Sequence, residues 1–278
     1  MERILTVQDI SCVGKCSLTV ALPIISAMGV ECAILPTAVL STHTMFSGFT
    51  FRDLTEDLDG IVDHWVNEGI DFRAVYTGYL GSEKQLKIVE RIFDTFKDGY
   101  RIVDPVMADN GKLYKGFTKT FAKKMAGLCK KADIVLPNMT EACFMLGIPY
   151  PEEGYTEIFV KDILVKLAAL GPRYAVLTGV SFKEGTLGVM CYDKKDGSFY
   201  HYKHVHLPKS FHGTGDIFAS AFTGALTVTG RVDRALRVAA DYTVKCIDLT
   251  LKNPDHVDYG VEFERAIPYL CARMQQED

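Results

Sequence analysis

The run His212-Gly213-Thr214-Gly215-Asp216 is followed at once by the small, apolar stretch Ile217-Phe218-Ala219-Ser220-Ala221-Phe222. Two glycines flanking Thr214 can adopt backbone angles closed to other residues, so successive N–H groups can point at a single oxyanion. A helix opening there adds unpaired N–H groups and the positive end of its dipole. The carboxylate of Asp216 is then within reach of a hydroxyl entering that cradle. This combination fits phosphoryl transfer, with Asp216 as the base and Gly213, Thr214 and Gly215 holding the transferred group. The plainer reading is structural, because Asp is common in first helical turns and Gly-Thr-Gly is a common loop. Two familiar phosphate motifs are excluded. A dinucleotide fingerprint needs a third glycine where Phe218 stands, and a P-loop ending at Gly14-Lys15 needs glycine at Asp9 and a hydroxyl residue at Cys16.

Further polar residues follow predicted strands, where open α/β sheets collect their functional groups. They are Asp104 and Asp109 in Asp104-Pro105-Val106-Met107-Ala108-Asp109, Asn138 and Glu141 in Asn138-Met139-Thr140-Glu141, and Thr178-Gly179. Alone, each is an ordinary turn former. Beside an anion cradle, carboxylates are wanted for Mg²⁺, which takes hard oxygen ligands along with water and phosphate oxygens.

These segments, with Gly213-Thr214-Gly215-Asp216, stand in the order and spacing of the ribokinase-like superfamily, which the chain resembles from residue 3 to about residue 270. Val7-Gln8-Asp9, Ser41-Thr42-His43-Thr44 and Tyr76-Thr77-Gly78-Tyr79 are similar to its pyridoxal kinase (vitamin B6 kinase) branch. The resemblance implies ATP-dependent phosphorylation of the 5′-hydroxymethyl group of pyridoxal, pyridoxine or pyridoxamine. It implies Asp9, Thr44 and Tyr79 for the vitamer, and Asp104, Asn138, Thr178, Gly179 and Thr214 for ATP. Asp109 and Glu141 are implied for Mg²⁺, with a monovalent cation as a further candidate. Asp9 stands where pyridoxal kinases often carry Ser, and Asp there is similar to the hydroxymethylpyrimidine kinase branch of thiamine synthesis. That activity, or another small-alcohol or sugar kinase, is the alternative. A homodimer is implied by the resemblance alone.

Composition agrees. The 278 residues can bury a full core, and 48% are hydrophobic. A net charge of −4 without a basic cluster argues against nucleic acid as a partner. Eight scattered cysteines without a C-x-x-C pair read as buried free thiols of a reducing compartment. With no signal peptide and no apolar run of the ~20 residues a membrane span requires, the expected location is cytoplasmic. His201, His204 and His206 alternate as on a surface strand and read as such.

The elements that must position these residues are also readable. Buried parallel strands are expected at Ile4–Val7, Ala33–Leu35, Ala74–Tyr76, Ile102–Val103, Ile134–Leu136 and Ala175–Leu177, alternating with helices around Ser17–Met28, Asp53–Glu68, Ser82–Lys97, Thr118–Lys130 and Thr156–Leu170. Leu187–Tyr192 and Ser198–His206 form a hairpin turning at Asp196-Gly197, and three helices follow. Residues 109 to 117, with Gly111 and Gly116, are a candidate mobile cover. The expected architecture is a three-layer α/β/α sandwich, mostly parallel with an antiparallel edge, forming one kinase domain over 1–278.

Overall fold

The computed structural model describes residues 2–152, 154–207, 209 and 211–276. In chain order the elements are β1 (Arg3–Ser11), α1 (Leu18–Ala27), β2 (Glu31–Leu40), β3 (Phe51–Asp53), α2 (Thr55–Asn67), β4 (Ala74–Thr77), α3 (Glu83–Thr95) and β5 (Tyr100–Val103). They continue with β6 (Ala108–Asp109), β7 (Lys112–Leu113), α4 (Lys119–Cys129), β8 (Ile134–Val135), α5 (Met139–Leu146), α6 (Glu157–Leu170) and β9 (Tyr174–Val180). β10 (Thr186–Asp193), β11 (Ser198–Val205), α7 (Thr214–Thr229), α8 (Val232–Leu251), a 3₁₀ turn at Phe263–Ala266 and α9 (Ile267–Gln275) complete the fold. The chain divides into two compact units, Met1–Gly78 with Leu207–Asp278, and Tyr79–His206.

In the first unit β1 pairs in parallel with both β2 and β4, and β3 adds an antiparallel edge to β2. Ile4, Leu5 and Val7 of β1 are wholly buried, as a parallel strand covered on both faces requires. The register between β1 and β2 shifts between Gln8 and Ile10, so the ladder is interrupted at Asp9. Such irregularities re-aim a side chain at a strand end. α7 packs against α1 and α8. It is buried on every side from Ile217 to Thr227, which explains its small, apolar run, and Gly224 lets Met28, the C-cap of α1, approach its backbone.

In the second unit β5, β8 and β9 are parallel, and β10 and β11 continue from β9 as antiparallel strands. Ser82, Thr118 and Thr156 cap α3, α4 and α6, each hydroxyl accepting the N–H three residues on. The hairpin turn falls at residues 194–197 as expected, with Gly197 at φ 75°. Residues 109 to 117, the candidate mobile cover, begin within the small hairpin β6–β7. Its turn at Asn110-Gly111 is pinned where the Gly111 N–H donates to Thr140 Oγ1 at 3.0 Å.

No helix among the described residues is long and apolar enough to cross a membrane. All eight cysteines are free, but Cys12 is exposed rather than buried, because it lies just past the end of β1.

Candidate active site

In the first unit α7 begins where the motif requires. Gly213 is its N-cap at φ 78°, a conformation that favours glycine, and an added Cβ would collide with the Lys15 carbonyl oxygen. Thr214 turns its hydroxyl to the Phe211 carbonyl at 3.2 Å. The N–H groups of Thr214, Gly215 and Asp216 fall in the first helical turn, which leaves such groups without intrahelical partners. Lys15 is fixed behind this loop by Glu264 at 2.6 Å.

Asp216 occupies the third position of α7 and keeps some exposure. The protein packed on its remaining sides pushes its carboxyl up to about 7; the Ser17 N–H pulls the other way, and the negative charge of Asp9 adds to the rise. Asp9 is itself buried, at 5% exposure, and accepts hydrogen bonds from Ser17 Oγ at 2.6 Å and Ser11 Oγ at 3.3 Å. Burial raises its carboxyl above the usual carboxylate range, and those hydroxyls oppose the rise. Cys16, between these acids in sequence and field, is pushed up to about 12 by burial and by both charges, so it stays a thiol.

The loop carrying Thr44 reaches the same place. His43 donates its N–H to the Val13 carbonyl at 2.8 Å, and its ring lies 5.2 Å from that of His212, beside the cradle. Burial, reinforced by His212, lowers the His43 pKa. Thr44 is exposed next to it. The first unit therefore brings together Asp9, Gly213, Thr214, Gly215, Asp216 and the Thr44 loop. Sequence reasoning missed Ser17 and the His43–His212 pair. No motif marks Ser17, but His43 could have been found from the match that singled out Thr44.

In the second unit Asn138 and Glu141 form a capping box at the start of α5. The Asn138 side chain accepts the Glu141 N–H at 2.9 Å, and Glu141 Oε2 accepts the Asn138 N–H at 2.9 Å. Glu141 Oε1 takes the Met107 N–H at 3.1 Å, and Asn138 Nδ2 donates to the Ala108 carbonyl at 2.8 Å. These bonds lock the loop after β5, which carries buried Asp104 and exposed Asp109, onto α5. Burial pushes Glu141 up to about 8; the backbone N–H donors lower it and the charge of Asp109 raises it.

Thr178 joins the same group through a parallel bridge to Asn138 and an N–H bond to the Pro137 carbonyl at 3.1 Å. The register against β10 shifts at this point and leaves Gly179 as an exposed bulge at φ 68°. Tyr155 clamps the bulge: its hydroxyl donates to the Gly179 carbonyl at 3.2 Å and accepts the Ser181 N–H at 3.2 Å. Tyr79 is half-buried, its ring 5.5 Å from that of Phe117. A separate cleft of about 360 Å³, lined by Arg101, Asp133, Arg173 and Lys194 among others, contains none of these residues.

No group of three or more His, Cys, Asp or Glu side chains able to hold a metal occurs among the described residues. A cation sharing its shell with water and phosphate oxygens does not need one. Glu141, buried and raised, is a carboxylate that a nearby positive charge would favour, and Asp109 adds to the same field.

The geometry agrees with what the chain is similar to. The phosphomethylpyrimidine kinase family model matches residues 22–260. A Bacteroides thetaiotaomicron protein assigned to the phosphomethylpyrimidine kinases, in a crystal form with pyridoxal, superposes with a TM-score of 0.91 at 35% identity, covering 97% of this chain and 95% of that one. The pyridoxal kinase of Lactobacillus plantarum gives 0.88 at 30% identity, covering 98% and 97%. A curated pyridoxal kinase of Granulibacter bethesdensis is 27% identical over 253 residues, 86% of each chain.

Proposed function

Since this chain belongs to the phosphomethylpyrimidine kinase family, we propose that it transfers the γ-phosphoryl group of ATP to the 5′-hydroxymethyl oxygen of pyridoxal, pyridoxine or pyridoxamine. The observation that carries the chemistry is Asp216, a carboxyl raised to about 7 at the first turn of a helix whose N-cap glycine frees the preceding backbone to bind an oxyanion. In the transfer Asp216 accepts the hydroxyl proton, the vitamer oxygen bonds to the γ-phosphorus, and the bond to the β,γ-bridging oxygen breaks to release ADP. The N–H groups of Gly213, Thr214 and Gly215 hold the equatorial oxygens. Little covalent work falls to the protein, so positioning and electrostatics supply most of the acceleration.

The vitamer reading is supported by the pyridoxal kinases among the relatives and by the pyridoxal-bound neighbour. Asp9, Thr44 and Tyr79 are assigned to the ring, and Asp104, Asn138, Thr178, Gly179 and Thr214 to ATP. Asp109 and Glu141, the latter through water, would hold Mg²⁺, which neutralises phosphate charge when bound. The two compact units then serve one kinase domain over 1–278, and the protein works as a cytoplasmic homodimer.

Hydroxymethylpyrimidine is the second acceptor to consider, favoured by the carboxylate at position 9 and the family's own name. Coupled ADP release with the three vitamers, hydroxymethylpyrimidine and a sugar panel separates the readings. The expected result is a kcat/KM at least ~10-fold higher for a B6 vitamer than for any other acceptor, the scale of one well-made polar contact. A preference for hydroxymethylpyrimidine or a sugar would overturn the assignment.

A further inference from the structure

The N-cap of α1 is Ser17, and it does not behave as a cap. Its hydroxyl makes no bond to the helix it precedes, although Ser at this position ordinarily satisfies an orphan N–H of the first turn. Its backbone sits at φ 51° and ψ −135°, a region costly for any residue with a Cβ. Among the described residues only Asn110, in the β6–β7 turn, shares a positive φ without being glycine. Helix α1 thus starts with a strained residue and a diverted side chain.

Both departures point to the same two acids. The hydroxyl donates to Asp9 Oδ1 at 2.6 Å, and the N–H acts on the Asp216 carboxyl, lowering its pKa, at a helix start where Gly213 abuts the Lys15 carbonyl and Cys16. Ser11 supports Asp9 from the other side at 3.3 Å, and the strand register breaks at Asp9, turning it out of the regular ladder. Strain of this kind persists where surrounding structure over-determines it, and it concentrates at functional sites.

We propose that Ser17 is the positioning residue that sets the proton acceptor against the acceptor-recognition carboxylate: its strained backbone fixes Asp216 while its side chain fixes Asp9. This rests on the roles given above to those two acids. Acceptor recognition and proton transfer are then coupled through a single residue. The groups that bear on Asp216 here are Asp9, the Cys16 thiol and the Ser17 N–H.

Two substitutions separate the bonds. Ser17→Ala removes the hydroxyl and keeps the backbone strain, so the vitamer KM should rise about tenfold with kcat within about threefold, the range for losing one bond to a charged group. Ser17→Gly also frees the backbone. It keeps the N–H but no longer holds it in one orientation, so it should raise KM equally, lower kcat by a further ~10-fold and shift the acid limb of the kcat profile upward as the donor is less often aimed at Asp216. Its melting temperature should nevertheless equal or exceed that of Ser17→Ala, because glycine accepts the positive φ without strain. Activity and stability moving in opposite directions between the two variants supports the proposal. A purely structural Ser17 would make activity follow the melting temperature, and that result overturns it, as would both variants retaining wild-type KM and kcat. Wild-type protein that phosphorylates no vitamer would overturn the parent reading, which the same assays reveal separately.

Discussion

Asp216 in one unit and Glu141 in the other are both carried into the neutral range by burial, to about 7 and about 8, yet the protein holds them in different ways. Glu141 is at 3% exposure, with both oxygens occupied by backbone N–H groups of Asn138 and Met107. Asp216 keeps an exposed side, and only the Ser17 N–H pulls its pKa down. A carboxylate with both oxygens engaged by the backbone serves first as a fastener, here of the Asp104–Asp109 loop to α5. A carboxylate raised to neutrality and left with free lone pairs can accept a proton from outside. The same displacement of pKa therefore has two meanings, and the backbone bonds to the two oxygens distinguish them.

Substitution should split the pair. Asp216→Asn should reduce kcat by ~10² or more while ATP affinity, measured by calorimetry, changes little, the usual scale for a positioned base. Near-wild-type turnover would erase the distinction. Glu141→Gln should act on stability as well as on Mg²⁺. The amide keeps one acceptor and turns an NH₂ against a backbone N–H, costing about 2 kcal/mol, visible as a lower melting temperature and urea midpoint.

Stability against pH sharpens the contrast. Each folded-state value lies above the unfolded one, 3.8 for Asp and 4.5 for Glu, so the folded protein retains protons that the unfolded chain releases. Their joint contribution is fully favourable at low pH and is lost as pH rises from about 4 through 7 for Asp216 and through 8 for Glu141. Asp216→Asn should lessen the slope between about 4 and 7 and leave the Glu141 decline that runs on to about 8, as read from urea midpoints across pH. The smallest effect is expected at Tyr155. Tyr155→Phe loses both bonds at the Gly179 bulge but keeps the ring packed near Phe159 and Phe182. The KM for ATP should rise about three- to tenfold at unchanged kcat, the worth of one or two neutral hydrogen bonds.

Much of this was legible in the sequence, for identifiable reasons. The buried strands announced themselves as apolar runs, the Ser82, Thr118 and Thr156 caps marked helix starts, and the glycines around Thr214 marked the cradle. α5 is hidden in the sequence although Asn138-x-x-Glu141 is a capping-box pattern, because the same two residues also fit ATP and Mg²⁺ and the chemical reading masks the structural one. β3 escaped because its three residues are all exposed and carry no alternation. Ser17 was illegible for a deeper reason. Its strain and its two partners, eight residues before it and 199 after it in the chain, exist only once β1, α1 and α7 are packed.

The most direct test of the central claim is the pH dependence of kcat for the wild-type protein with pyridoxal and saturating ATP. If Asp216 takes the hydroxyl proton, kcat falls about tenfold per pH unit below a limb near 7, and that limb disappears in Asp216→Asn. A wild-type kcat that stays flat well below pH 7, or a limb that survives the substitution, would contradict the account.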